Sequence, residues 1–114
     1  TAMVLSSNYL NVLVNEAISL LGDSGMENPQ RLLAPLLSAS LDNALRLGDK
    51  GLTGPIARGD REVIRTHLEA LQERPSSQNA YRALARLATD RALEAGVLSV
   101  DQAADLLIEL GETP

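Results

Sequence analysis

The sequence predicts an all-α fold, a compact bundle of about five or six helices. Three observations predict it. Apolar residues recur at three- and four-residue spacing in each segment long enough to show a period. No stretch sustains the period-two alternation of a half-buried strand. Aromatic residues are only 2% of the chain, Tyr9 and Tyr81, so the core has to be built from Leu, Ile, Val and Ala, a composition suited to closely packed helices. With 114 residues, 45% of them hydrophobic, the chain is long enough to bury a core, and residues 1–114 read as a single helical domain.

The first helix is expected over residues 3–21, almost continuously apolar. Asn8, Asn11, Asn15 and Ser19 form one polar stripe along it. Gly22 and Gly25 end it. Asn28 followed by Pro29 reads as an N-cap and a first helical position. The second helix then runs to about Leu47, with Gly48 as its stop and a kink expected at Pro35. Residues 48–59 hold four of the eight glycines, Gly48, Gly51, Gly54 and Gly59, and form the longest connection. Within it Thr53 is placed to cap a short turn opened by Pro55. Asp60 caps a third helix whose inner face carries Val63, Ile64, His67, Leu68 and Leu71. Arg74-Pro75-Ser76-Ser77 breaks it. A fourth helix is expected over residues 78–95, with Tyr81, Leu84, Ala85, Ala88, Ala92 and Leu93 at helical spacing and Gly96 as its end. Ser99 and Gln102 form a capping box for the last helix, with Leu98 and Ala103 as its staple.

Charge and composition narrow the function classes. The net charge of −5 argues against nucleic acid and anionic membranes as partners. Two tyrosines supply no series of stacking platforms for single strands. The absence of Cys removes disulfides and thiolate chemistry and agrees with a cytoplasmic protein. No apolar run approaches the length of a membrane span, and no signal peptide is visible. The chain starts at Thr1 with almost no polar lead-in to an apolar helix, so we expect it to be the C-terminal piece of a longer protein.

The residues with chemical promise cluster in two places. Thr53-Gly54-Pro55-Ile56-Ala57-Arg58-Gly59-Asp60 reads as a polar turn whose helix start offers free N–H groups to an anion. Its G-x-x-x-x-G spacing is not a phosphate loop, because Asp60 stands where the Lys must be and no strand precedes it. A G-x-G-x-x-G dinucleotide fingerprint is absent. Arg58, Arg61 and Arg65 are candidate anion ligands, set against an ordinary solvated face paired with neighbouring acids. Arg58 differs because it lies in the turn itself. The second place is the asparagine stripe. Its amides either line a polar cleft, with Asn8 nearest the helix start, or satisfy one another or a partner helix. His67, the one histidine, is expected as a packed, hydrogen-bonded residue of the inner face. No ligand cluster for a metal is visible.

Ser6-Ser7-Asn8-Tyr9-Leu10 and Leu52-Thr53-Gly54-Pro55-Ile56-Ala57-Arg58-Gly59-Asp60, together with Pro35, Leu41-Asp42-Asn43 and Tyr81-Arg82-Ala83-Leu84, resemble the C-terminal helical domain of Rossmann-like proteins catalogued as domain of unknown function 2520. More distantly that family is similar to the C-terminal domains of the 6-phosphogluconate dehydrogenase type, found in pyrroline-5-carboxylate reductase, ketopantoate reductase and hydroxyacid dehydrogenases. The resemblance implies a preceding dinucleotide-binding domain that this chain lacks. It implies NADP or NAD in the full-length parent and none bound by this chain alone. It implies a homodimer, and a cleft for a small anionic carbonyl, imine or hydroxyacid substrate to which hydride is transferred or from which it is taken. Carried over by position, Asn8 matches the helix asparagine that faces substrate, and Thr53, Gly54 and Pro55 match the turn beside it. Arg58 would add charge. No catalytic residue is assigned. The competing expectation is a non-catalytic dimerisation or protein-interaction module, in which the asparagine stripe sets helix register and the turn is only structural.

Overall fold

In the computed structural model, which describes residues 1–111, every described element is helical and no strand occurs among the described residues. A π-helical turn over Val4–Asn8 runs directly into α1, Tyr9–Asp23. There follow α2 (Pro29–Leu47), a 3-10 turn (Gly48–Gly51), α3 (Pro55–Arg58), α4 (Arg61–Ala70), α5 (Pro75–Glu94) and α6 (Val100–Glu109). The chain divides into two compact units, Thr1–Leu41 and Asp42–Pro114, and the division falls within α2. No helix among the described residues is long and apolar enough to cross a membrane.

The first unit holds the π turn, α1 and most of α2. A regular α-helix was expected from Met3, and the structure corrects its first turns. The Ser6 hydroxyl donates to the Ala2 carbonyl at 2.9 Å, the carbonyl that a regular helix would give to the Ser6 N–H. The Tyr9 N–H then reaches back five residues to the Val4 carbonyl. α1 buries none of its residues, and Met3, Leu5 and Val12 are 82%, 62% and 60% exposed. Asn28 does not take the extended conformation of an N-cap. Its φ is 52°, a left-handed value that asparagine tolerates, and its main-chain carbonyl accepts the Arg31 N–H at 3.0 Å. α2 continues unbroken through Pro35, which lies exposed.

The second unit is built around one apolar cluster in which Ile56, Ile64, Leu68, Ala92, Leu98 and Leu106 meet. Each helix contributes at its own period. Ile64 and Leu68 lie four apart on α4, Ala85 and Ala92 lie seven apart on α5, and Ala103 and Leu106 lie three apart on α6. The starts are capped as the residue types dictate. The Val63 N–H donates to Asp60 Oδ1 at 3.3 Å. Ser99 and Gln102 close a reciprocal box at 3.1 and 3.0 Å, with Leu98 and Ala103 buried beside it. α5 opens at Pro75, three residues before the expected start. Proline's fixed φ suits the first helical position, so Arg74 ends the connection and Pro75 begins the helix.

Candidate functional site

The turn over residues 52–60 belongs wholly to the second unit. Leu52 leaves the 3-10 turn extended, at φ −61° and ψ 132°. Gly54 stands at φ 90° and ψ −173°, a region essentially closed to residues with a Cβ. That conformation, not a side chain, turns the backbone into α3. Gly54 is therefore the cap residue, and Thr53, expected in that role, is exposed one position earlier. Pro55 has no N–H and takes the first helical position. The Arg58 N–H is the first to close a helical bond, onto the Gly54 carbonyl at 3.3 Å. The N–H groups of Ile56 and Ala57 precede it at the open end of the turn.

A single helical turn is not stable in isolation. α3 persists because Ile56, 7% exposed, inserts into the core cluster. Its far end is closed by a Schellman arrangement. The Asp60 N–H donates to the Pro55 carbonyl at 2.9 Å and the Gly59 N–H to the Ile56 carbonyl at 3.0 Å, with Gly59 left-handed at φ 66°. The turn thus presents exposed Thr53 before the helix and exposed Arg58 at its end.

The three arginines read together in the sequence part company in the structure. Arg65 donates from Nε to Glu109 Oε1 at 2.7 Å and from Nη2 to Glu109 Oε2 at 2.9 Å. Arg61 Nη2 reaches the same carboxylate at 3.3 Å, and Asp105 lies 3.9 Å from Arg61 Nη1. These bonds tie α4 to α6 and engage both guanidinium groups, although the Arg61 Nε is buried without a hydrogen-bond partner among the described residues. The hydrogen bond from Arg65, opposed by desolvation and reinforced by its charge and by Arg61, holds the Glu109 carboxyl below its ordinary value. Arg58 has no ion-pair partner among the described residues.

Asn8 lies in the first unit, exposed, as the last residue of the π turn. The stripe below it is partly self-satisfied, since Asn15 Nδ2 donates to the Asn11 carbonyl at 2.8 Å and to Asn11 Oδ1 at 3.2 Å. His67, expected on the inner face, is exposed. Ile64 and Leu68 take the core-facing positions of α4, and the imidazole falls at their edge. It is hydrogen-bonded, as expected, with Nδ1 2.8 Å from the Tyr81 hydroxyl and the rings edge to face at 5.6 Å. Burial pushes the Tyr81 phenol above its ordinary value. Among the described residues no three acidic or histidine side chains gather as a metal site requires.

Two features had no signal in the sequence. One is the π turn that ends on Asn8. The other is the pair formed by Arg91 Nε with Asp49 Oδ1 at 2.7 Å and Arg91 Nη2 with Asp49 Oδ2 at 3.2 Å, partners too far apart in the chain for any local rule. The hydrogen bond to Asp49 and the carboxylate's charge raise the Arg91 pKa.

Neither a curated protein nor a solved structure matches the chain. A family model does, over residues 1–88, which include Asn8 and the whole turn from Leu52 to Asp60. With that match spanning well over half of its length, the chain belongs to the family described as Domain of unknown function (DUF2520).

Proposed function

We propose that this chain is the substrate-side and dimerisation domain of an NAD(P)-dependent oxidoreductase acting on a small carbonyl, imine or hydroxyacid substrate. The observation that carries the reading is the turn. Gly54 is held in a glycine-only conformation, and the exposed Thr53 and Arg58, which has no ion-pair partner among the described residues, flank the open N–H groups of Ile56 and Ala57. Backbone held this way is a recurrent feature of ligand sites. N–H groups at a helix start, a hydroxyl and a guanidinium together suit a carboxylate or phosphate. In the other unit Asn8 offers an amide that can both donate to and accept from a substrate. A nicotinamide dinucleotide does not fit this chain, which has no glycine-rich fingerprint and, among the described residues, no strand to deliver one. In this reading it is held by a Rossmann-like domain outside the 114 residues.

The exposed apolar surface of α1 favours a second reading, a purely associative module that binds no substrate. Fluorescence titration of NADPH and NADH into the longer parent protein and into this chain separates the two. The oxidoreductase reading expects binding to the parent and none to the chain alone. No binding to either overturns it in favour of the associative module. Asn8→Ala and Thr53→Ala then test the substrate contacts one at a time, through turnover or ligand affinity of the parent, and unchanged values remove those residues from the site.

A further inference from the structure

The turn over residues 52–60 is too short to hold its own shape, and what holds it lies elsewhere in the chain. On the approach, the 3-10 turn Gly48–Gly51 carries Asp49, and both carboxylate oxygens of Asp49 are taken by the fork of Arg91 on α5. Two parallel bonds from a planar guanidinium fix direction as well as distance. The Leu52 N–H in turn donates to the Asp49 carbonyl at 3.2 Å, so the residue that Arg91 grips is bonded to the first residue of the turn. At the far end Gly59 lies flush against Gln102. A Cβ there would come within 3.0 Å of Gln102 Nε2 and 3.4 Å of Cδ and Cγ. Gln102 is itself held, because its Oε1 accepts the Ser99 N–H at 3.0 Å in the α6 cap.

We infer that Arg91 and Gln102 are positioning residues for the Thr53-Gly54-Pro55 turn, the first by gripping Asp49 on its approach and the second by backing Gly59 at its exit. Both lie beyond residue 88, outside the stretch that the family model covers. The family-matched turn is thus shaped by the chain's last two described helices. The Arg91 and Asp49 side chains are 62% and 39% exposed, and a pair so exposed contributes little to overall stability. Its contribution is to geometry, and that separates the inference from an ordinary structural role. The inference rests on the proposed substrate turn for its importance and on the anchors alone for its geometry.

The test is backbone NMR on the full 114-residue chain, with amide hydrogen exchange and with inorganic phosphate as an anion probe. The variants are Arg91→Ala, the exchanged pair Asp49→Arg with Arg91→Asp, and Gln102→Glu, which keeps an acceptor for the α6 cap. Arg91→Ala is expected to raise exchange at the hydrogen-bonded amides of Leu52, Arg58 and Gly59 by about two- to fivefold, the range open to an exposed pair. Exchange in α4 and α6 and the thermal midpoint are expected to stay unchanged. The exchanged pair is expected to restore the turn. Gln102→Glu is expected to shift Gly59 and Asp60 while α6 stays helical. Unchanged exchange at the turn in Arg91→Ala, or a rise spread over α4 to α6, overturns the inference. So do an exchanged pair that restores nothing and a Gln102→Glu variant that leaves Gly59 unmoved. If phosphate moves no turn amide in the unaltered chain, the anion-holding reading fails while positioning is judged on exchange. If phosphate moves those amides equally in the unaltered chain and in Arg91→Ala, positioning fails.

Discussion

Gly54 sets the direction of the turn by a backbone conformation that a Cβ would oppose, and nothing lies within 4 Å of where that Cβ would stand. The cost of Gly54→Ala is therefore conformational and not steric. We expect it to destabilise the chain by about 1–3 kcal/mol in urea unfolding, if the strained backbone is kept. A smaller loss accompanied by shifted amide resonances over residues 52–58 would show that the turn relaxes instead. His67 and Tyr81 illustrate a different residue-level lesson. Helical spacing put His67 near the core, and it is the hydroxyl of Tyr81, a residue fourteen positions away, that gives the exposed ring its partner.

Among the elements, α6 joins the parts of the second unit. Its start is closed by the Ser99–Gln102 box and its end receives both Arg61 and Arg65 through Glu109, whose side chain is 12% exposed. Ser99→Ala removes one half of the box and is expected to cost about 1 kcal/mol, read by denaturant midpoint at unchanged slope. Glu109 also makes stability depend on pH. Its carboxyl is held below the ordinary 4.5 in the folded chain, so its contribution is complete above that value. The contribution is lost as pH falls through the lower folded-state value. The stability gap between the unaltered chain and Glu109→Gln should therefore be widest near neutrality and close on acidification. A gap that stays constant down to the acid transition would remove the Arg61–Arg65–Glu109 cluster from the explanation.

Across the whole molecule the two units contrast in how they treat apolar surface. In the second, Ile64 and Leu106 are fully buried, and Leu106→Ala is expected to cost about 2–5 kcal/mol with loss of cooperative unfolding at the upper end. In the first, Met3, Leu5 of the π turn and Val12 of α1 are largely exposed. Apolar surface in a continuous patch marks an interaction site. If a second copy covers it, sedimentation should show a dimer, and Val12→Arg should give a folded monomer with the second unit's exchange protection intact. A monomeric unaltered chain would assign that surface to a different partner.

The sequence by itself determined the all-α class, the breaks at Gly25, Gly48 and Gly96, and the caps at Asp60 and Ser99, while Gly22, expected to end the first helix, lies inside it. Each of these follows from residues a few positions apart: periodicity, a side-chain oxygen three residues before an N–H, a glycine free to turn left-handed. It also marked the Thr53–Asp60 stretch as the place to look, because turn residues between two periodic segments are read locally. Only the tertiary structure decided that Arg61 and Arg65 are both paired, since Glu109 arrives from another helix. It decided that Gly54 caps α3 in place of Thr53, since the insertion of Ile56 into the core sets where that helix starts. It brought Arg91 to Asp49 and Gln102 to Gly59, contacts across some forty residues that no local pattern encodes.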